Sequence, residues 1–114
     1  MMKKGPKIVV IGAGSFFFGR AVVYNMAQSP ILRTGTLALV DTDPAVLETM
    51  MKLAERAARH VGAPFRLIGS TDRRTVMHGA DFVVASFSFR NTFYRGTDVR
   101  ISRKYGVTMC SGDT

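Results

Sequence analysis

A chain of 114 residues, 46% hydrophobic and 21% charged, has the size and balance of one globular domain with a real core. It holds no apolar run near the ~20 residues that span a bilayer, and its start, "MMKKGPKIVV", lacks the long apolar stretch of a signal peptide; a cytoplasmic location and no membrane partner are expected. The net charge of +8 comes from dispersed lysines and arginines without a nucleic-acid-binding motif, so nucleic acid is not the expected partner.

Lys7 to Ile11 is a short, β-branched apolar run that ends in glycine, as a fully buried parallel strand does. After a turn at Gly12 to Gly14, Ser15 is placed to cap a helix running to about Gln28, which Pro30 stops. "TLALVD", Thr36 to Asp41, reads as a second buried strand. Asp43 then fits an N-cap and Pro44 the first helical position, where a missing N–H is no loss. Leu47, Met50, Ala54, Ala57 and Val61 recur at helical spacing until Gly62 and Pro64 end the helix. Its other face carries Lys52, Arg56 and Arg59, with Glu48–Lys52 and Glu55–Arg59 at i,i+4 spacing, the pattern of a solvated face. His60, in its last turn, suits the negative end of the helix dipole.

Phe65 to Ser70 is an expected third strand, and Thr71 or Asp72 caps a short helix over "TDRRTVMHG" that ends at His78 and Gly79. Asp81 to Phe87 is a fourth strand and Thr92 to Tyr105 a last helix, bearing Arg95, Arg100, Arg103 and Lys104. Val107 to Cys110 is placed to begin a fifth strand. Cys110 is the single cysteine, which excludes an internal disulfide. It fits a small buried hydrophobe, with a reactive or metal-binding thiol as the alternative. The order of elements predicts an α/β fold: a Rossmann-type parallel sheet with right-handed crossovers, incomplete, comprising the first four or five strands.

The glycine turn carries the chemistry. In "IVVIGAGSFFFGR", Gly12 and Gly14 fit the start of G-x-G-x-x-G, but Phe17 holds the third position and the next glycine is Gly19. Gly12 allows the tight turn, and Gly14 lets backbone amides near Gly14 and Ser15 approach a pyrophosphate at a helix N-terminus. Phe17 would hold that helix further from the sheet or turn its ring aside. Asp41, ending the second strand, is placed to accept hydrogen bonds from the adenosine ribose and to repel a 2′-phosphate, favouring NAD over NADP. Its alternative role is capping the next helix, which Asp43 already serves.

"KIVVIGAGSFFF", "LALVDTD", "STDRR", "GADFVV" and "RKYGV…GDT" together resemble the N-terminal segment of glycoside hydrolase family 4, from Lys7 to Thr114. That family comprises NAD- and divalent-metal-dependent α-glucosidases, α-galactosidases, α-glucuronidases, α-galacturonidases and 6-phosphoglycosidases. In it, G-A-G-S is usually followed by a bulky apolar pair. The resemblance implies hydrolysis by oxidation and elimination. NAD oxidises a sugar 3-hydroxyl, the acidified C2 hydrogen leaves to a tyrosine base, and a metal (Mn2+ or another divalent ion) holds O2 and O3.

By the same resemblance, Gly12, Gly14, Ser15, Phe16 and Asp41 are the NAD-binding positions. Arg95 is similar to an arginine that contacts the sugar substrate in some members, and otherwise reads as a solvated helix charge. Asp113 resembles an acid near the catalytic tyrosine, and otherwise reads as an exposed turn residue. The family's metal ligands, a Cys-Asn cysteine and a later histidine, and its tyrosine base have no counterpart in this chain. The expectation is therefore the NAD-binding part of such an enzyme, inactive alone and forming a homo-oligomer. Two alternatives are a fragment of a malate/lactate-type dehydrogenase and a standalone nucleotide-binding module.

Overall fold

The computed structural model describes residues 5–109. In chain order the elements are β1 (Lys7–Ile11), α1 (Phe18–Gln28), β2 (Thr36–Val40), α2 (Pro44–Val61), β3 (Arg66–Ser70), β4 (Phe82–Ala85) and α3 (Asn91–Lys104). Short 3-10 turns at Leu32–Thr34 and Arg73–Thr75 complete the path. The four strands form one parallel sheet in the order β3-β2-β1-β4, the doubly wound arrangement of a Rossmann-type domain.

The central strands are buried on both faces, which explains their continuous apolar sequence. Alternate side chains divide between two layers. Ile8, Val10, Leu37 and Leu39 pack with Val23, Met26 and Ala27 of α1 and Leu47, Met50 and Ala54 of α2. Val9, Ala38 and Val40 face the other way, where Val76, Met77 and Ala80 from the segment before β4 cover them. The edge strand β4 is poorly covered, with Phe82 60% exposed and Val83 46%.

The caps of α2 follow from its sequence. Asp43 accepts hydrogen bonds from the N–H groups of Ala45 and Val46, at 2.9 and 3.3 Å, with Pro44 beside it. Gly62 closes the helix in the left-handed region at φ 66°, and Arg33 donates to the carbonyl oxygens of Val61 and Gly62. Of the apolar row, Leu47, Met50 and Ala54 are buried, Ala57 is half-buried and Val61 is exposed. Lys52 meets Glu48 at 3.0 Å. Glu55 and Arg59 form no such pair among the described residues, and His60 is exposed in the last turn.

Four expectations need correction. Helix α1 starts at Phe18, with Phe17 as its N-cap and no side-chain cap, so Ser15 does not cap it. The turn runs on through Ser15, whose N–H donates to the Gly12 carbonyl at 3.0 Å, and the helix begins only where that turn ends. The segment after β3 is a three-residue 3-10 turn, capped by Asp72, because Gly79 and the start of β4 follow too soon for a longer helix. Strand β4 is shorter than expected, ending at Ala85. Val107 to Met109 form no strand; Cys110 lies outside the described residues. The left-handed Gly106, φ 71°, ends α3, a helix that buries none of its own residues.

Candidate functional site

The glycine turn folds back over the end of β2. The N–H groups of Gly12 and Ala13 both donate to the Val40 carbonyl at 2.9 Å. Gly12 sits at φ 83°, a conformation that side-chain-bearing residues rarely adopt. A Cβ there would also collide with the Ser86 carbonyl oxygen just beyond β4. Glycine is required twice over.

Gly14 is bound to the acid at the end of the neighbouring strand. Its N–H donates to Oδ2 of Asp41 at 2.9 Å, while Oδ1 of the same carboxylate accepts from Asp43 N–H at 3.0 Å. A Cβ on Gly14 would strike the Val46 side chain of α2. Its small size therefore serves packing against α2 as well as any ligand.

The third glycine of the motif is displaced rather than lost. Gly19 is buried in the first turn of α1, where a Cβ would collide with the Ala13 carbonyl oxygen. It performs the close helix–turn contact that the consensus assigns two residues earlier. Phe17, 73% exposed, turns its ring aside to the surface rather than holding α1 away from the sheet, the second of the two expected outcomes. Phe16 and Phe17 instead meet edge to face at 5.1 Å on the surface, and the Arg20 guanidinium lies 4.4 Å over the Phe16 ring. Sequence reasoning missed the role of Gly19; its spacing from the two turn glycines was the available signal.

The amides near the turn are also allotted differently from the expectation. Those of Gly14 and Ser15 already donate to Asp41 and Gly12. Among the described residues, the amides of Phe16 and Phe17 have no protein acceptor, which leaves them as donors for an anion at the start of α1.

A cleft of about 1140 Å³ opens at the C-terminal ends of the strands, where ligands bind in open α/β sheets. Gly12 and Ser15 line it from the turn, Asp41 and Thr42 from the end of β2, residues 71–74 after β3 and residues 86–89 after β4. The fold thus brings Gly12, Gly14, Ser15 and Asp41 together. Asp72, Arg73 and Arg74 enter the same cleft and were not singled out from the sequence as site residues. A groove of similar size, about 1180 Å³, lies between α1 and α2, but no residue of the glycine turn lines it.

Arg95 lies on α3, exposed, and is not among the residues lining the cleft. Asp113 lies outside the described residues. Among the described residues no three His, Cys, Asp or Glu side chains gather as ligands for a metal ion. No helix there is long and apolar enough to cross a membrane.

The family model for family 4 glycosyl hydrolases matches residues 7–114. An alpha-galactosidase of Rhizobium meliloti (strain 1021) is 32% identical over 108 residues, covering 95% of this chain and 22% of the relative. An alpha-glucosidase of Erwinia rhapontici is 33% identical over 108 residues, covering 94% and 24%. The chain therefore spans about a quarter of the length of these relatives. A solved 6-phospho-alpha-glucosidase from gut microorganisms, in complex with NAD and Mn2+, shares the fold with a TM-score of 0.67 at 17% identity, over 90% of this chain and 24% of that one.

Proposed function

The chain belongs to family 4 of the glycosyl hydrolases, and from that membership we propose that its cleft binds NAD for a longer glycosidase. The observation that carries the reading is the hydrogen bond from Gly14 N–H to Asp41 Oδ2, at 2.9 Å. It joins the bare glycine turn to the strand-end acid at one mouth of one cleft. The left-handed Gly12, whose missing Cβ leaves space for the Ser86 carbonyl, lets the turn and the segment after β4 close on the same cleft.

In this reading the amides of Phe16 and Phe17 hold the pyrophosphate at the positive end of α1. Asp41 keeps lone pairs beyond its two backbone bonds and accepts from the adenosine ribose hydroxyls. Bound NAD supplies a hydride acceptor for oxidising a sugar hydroxyl. The substrate is a small sugar: an α-glycoside, as the names of the alpha-galactosidase and alpha-glucosidase relatives suggest, or a glycuronide.

The described residues do not fit a divalent metal, and no step is assigned to one on them. We place the metal, Mn2+ or another divalent ion, with the longer enzyme, together with the base. The same holds for Arg95 as a substrate contact and Asp113 as a neighbour of the base. We further place the protein in the cytoplasm as a homo-oligomer. The test is calorimetric titration of the chain with NAD. Saturable one-to-one binding is expected, and no heat of binding at millimolar NAD would refute the reading.

A further inference from the structure

We propose that Asp72 is a specificity-determining residue that disfavours NADP by tethering Arg74 at the ribose end of the cleft. The inference rests on the reading of the cleft as an NAD site. Val40 and Ser70 are partners in the β2–β3 ladder, so Asp41 and the residues 71–74 leave adjacent strand ends. A phosphate on the ribose hydroxyl that Asp41 faces would lie between these two segments. An arginine in that position is what accommodates a 2′-phosphate in this class of fold.

Two arginines are present there, yet one is already engaged. Oδ1 of Asp72 accepts from Arg74 Nε and from Arg74 N–H, both at 3.0 Å, and Oδ2 accepts from the Arg74 terminal nitrogen at 3.0 Å. This is the forked edge with which a guanidinium grips a phosphate, and a carboxylate holds it. The loop that carries Asp72 is itself fixed, since its N–H donates to Ser70 Oγ at 3.0 Å and Ser70 Oγ meets Thr75 Oγ1 at 2.7 Å. The charges lining this end of the cleft balance: Asp41 and Asp72 against Arg73 and Arg74. Removing the Asp72 charge frees the guanidinium fork and makes the end cationic. Both changes favour a 2′-phosphate.

The pair is exposed, with Arg74 83% and Asp72 42% accessible, so the effect on affinity is moderate. Asparagine and serine both retain a side-chain oxygen to cap the Arg74 amide while losing the charge. The test titrates NAD and NADP into the parent chain, Asp72→Asn, Asp72→Ser and the double variant Asp72→Asn/Arg74→Ala, each with a cooperative thermal transition. In the single variants the affinity for NADP relative to NAD should rise by about fivefold, the scale of one exposed charge pair. The double variant should return to the parental ratio. An unchanged ratio in both single variants, with NAD still bound, overturns the role of Asp72 alone. A gain that survives Arg74→Ala overturns the tether. A parent chain that binds neither nucleotide overturns the reading of the cleft and this inference with it.

Discussion

Gly19 lies so close to the carbonyl oxygen of Ala13 that a Cβ on it would collide with the backbone. The contact fixes α1 against the glycine turn, and it explains how the motif tolerates Phe17. Gly19→Ala should therefore destabilise the fold by about 1–3 kcal/mol, the range for overpacking a tight contact. Phe17→Gly, which restores the consensus spacing at an exposed position, should change stability by no more than about 0.5 kcal/mol. Urea denaturation of both variants decides the point. A larger loss for Phe17→Gly than for Gly19→Ala would reverse the assignment.

Asp41 holds the turn through the Gly14 and Asp43 amides and, in the proposed reading, also accepts from the ribose hydroxyls. Asp41→Ala leaves the Gly14 and Asp43 amides without their acceptor, which should cost about 1–2 kcal/mol of stability. The same variant should narrow the preference for NAD over NADP. Parent chain that binds NADP as well as NAD in calorimetry would count against Asp41 as the discriminating acid.

The Arg74 guanidinium beside Asp72, followed by the Arg74 amide, holds the Asp72 carboxyl below the usual carboxylate range. A carboxyl depressed on folding stabilises the native state above its unfolded pKa and loses that contribution as pH falls through the folded value. The pair should thus persist at neutral pH and open only under acid conditions. Carbon-13 NMR titration of Asp72 in the parent and in Arg74→Ala checks the sign: the midpoint should move up in the variant.

Strand β4 presents Phe82 and Val83 on a parallel edge with few covering groups. An apolar edge with unpaired backbone groups invites pairing with another chain. The chain should self-associate, and Val83→Lys should shift it towards monomer. Sedimentation velocity showing a monodisperse parent monomer would remove the edge as an association surface.

Elimination across C1 and C2 of a sugar oxidised at C3 needs a hydride acceptor, a metal and a base. The 114-residue chain should hydrolyse no aryl glycoside with NAD, Mn2+ and reductant present. A protein of the relatives' length should require NAD and Mn2+ and exchange the substrate's C2 hydrogen with solvent deuterium. Hydrolysis by that protein without exchange, and undiminished after NAD is stripped, would exclude the oxidation–elimination route.

Much of the architecture was legible because its causes are local. A β-branched run such as "KIVVI" buries on both faces wherever it lies, and Asp43-Pro44 with Gly62 bounds α2 through its own backbone bonds. The pairing of a glycine turn with a strand-end acid likewise follows from the order strand, helix, strand. By itself the sequence therefore determined a parallel α/β sheet, its first helical crossovers and the meeting of Gly12, Gly14 and Asp41. Only the tertiary structure decided where α1 begins, because Ser15 as a cap and Ser15 inside a continuing turn are locally equivalent. The close contact between Gly19 and Ala13 chose between them. The arginines of "STDRR" needed it too: β2 and β3 being neighbours brings their loop beside Asp41, but the three-residue 3-10 turn after β3, in place of the expected helix, sets how Arg73 and Arg74 line the cleft.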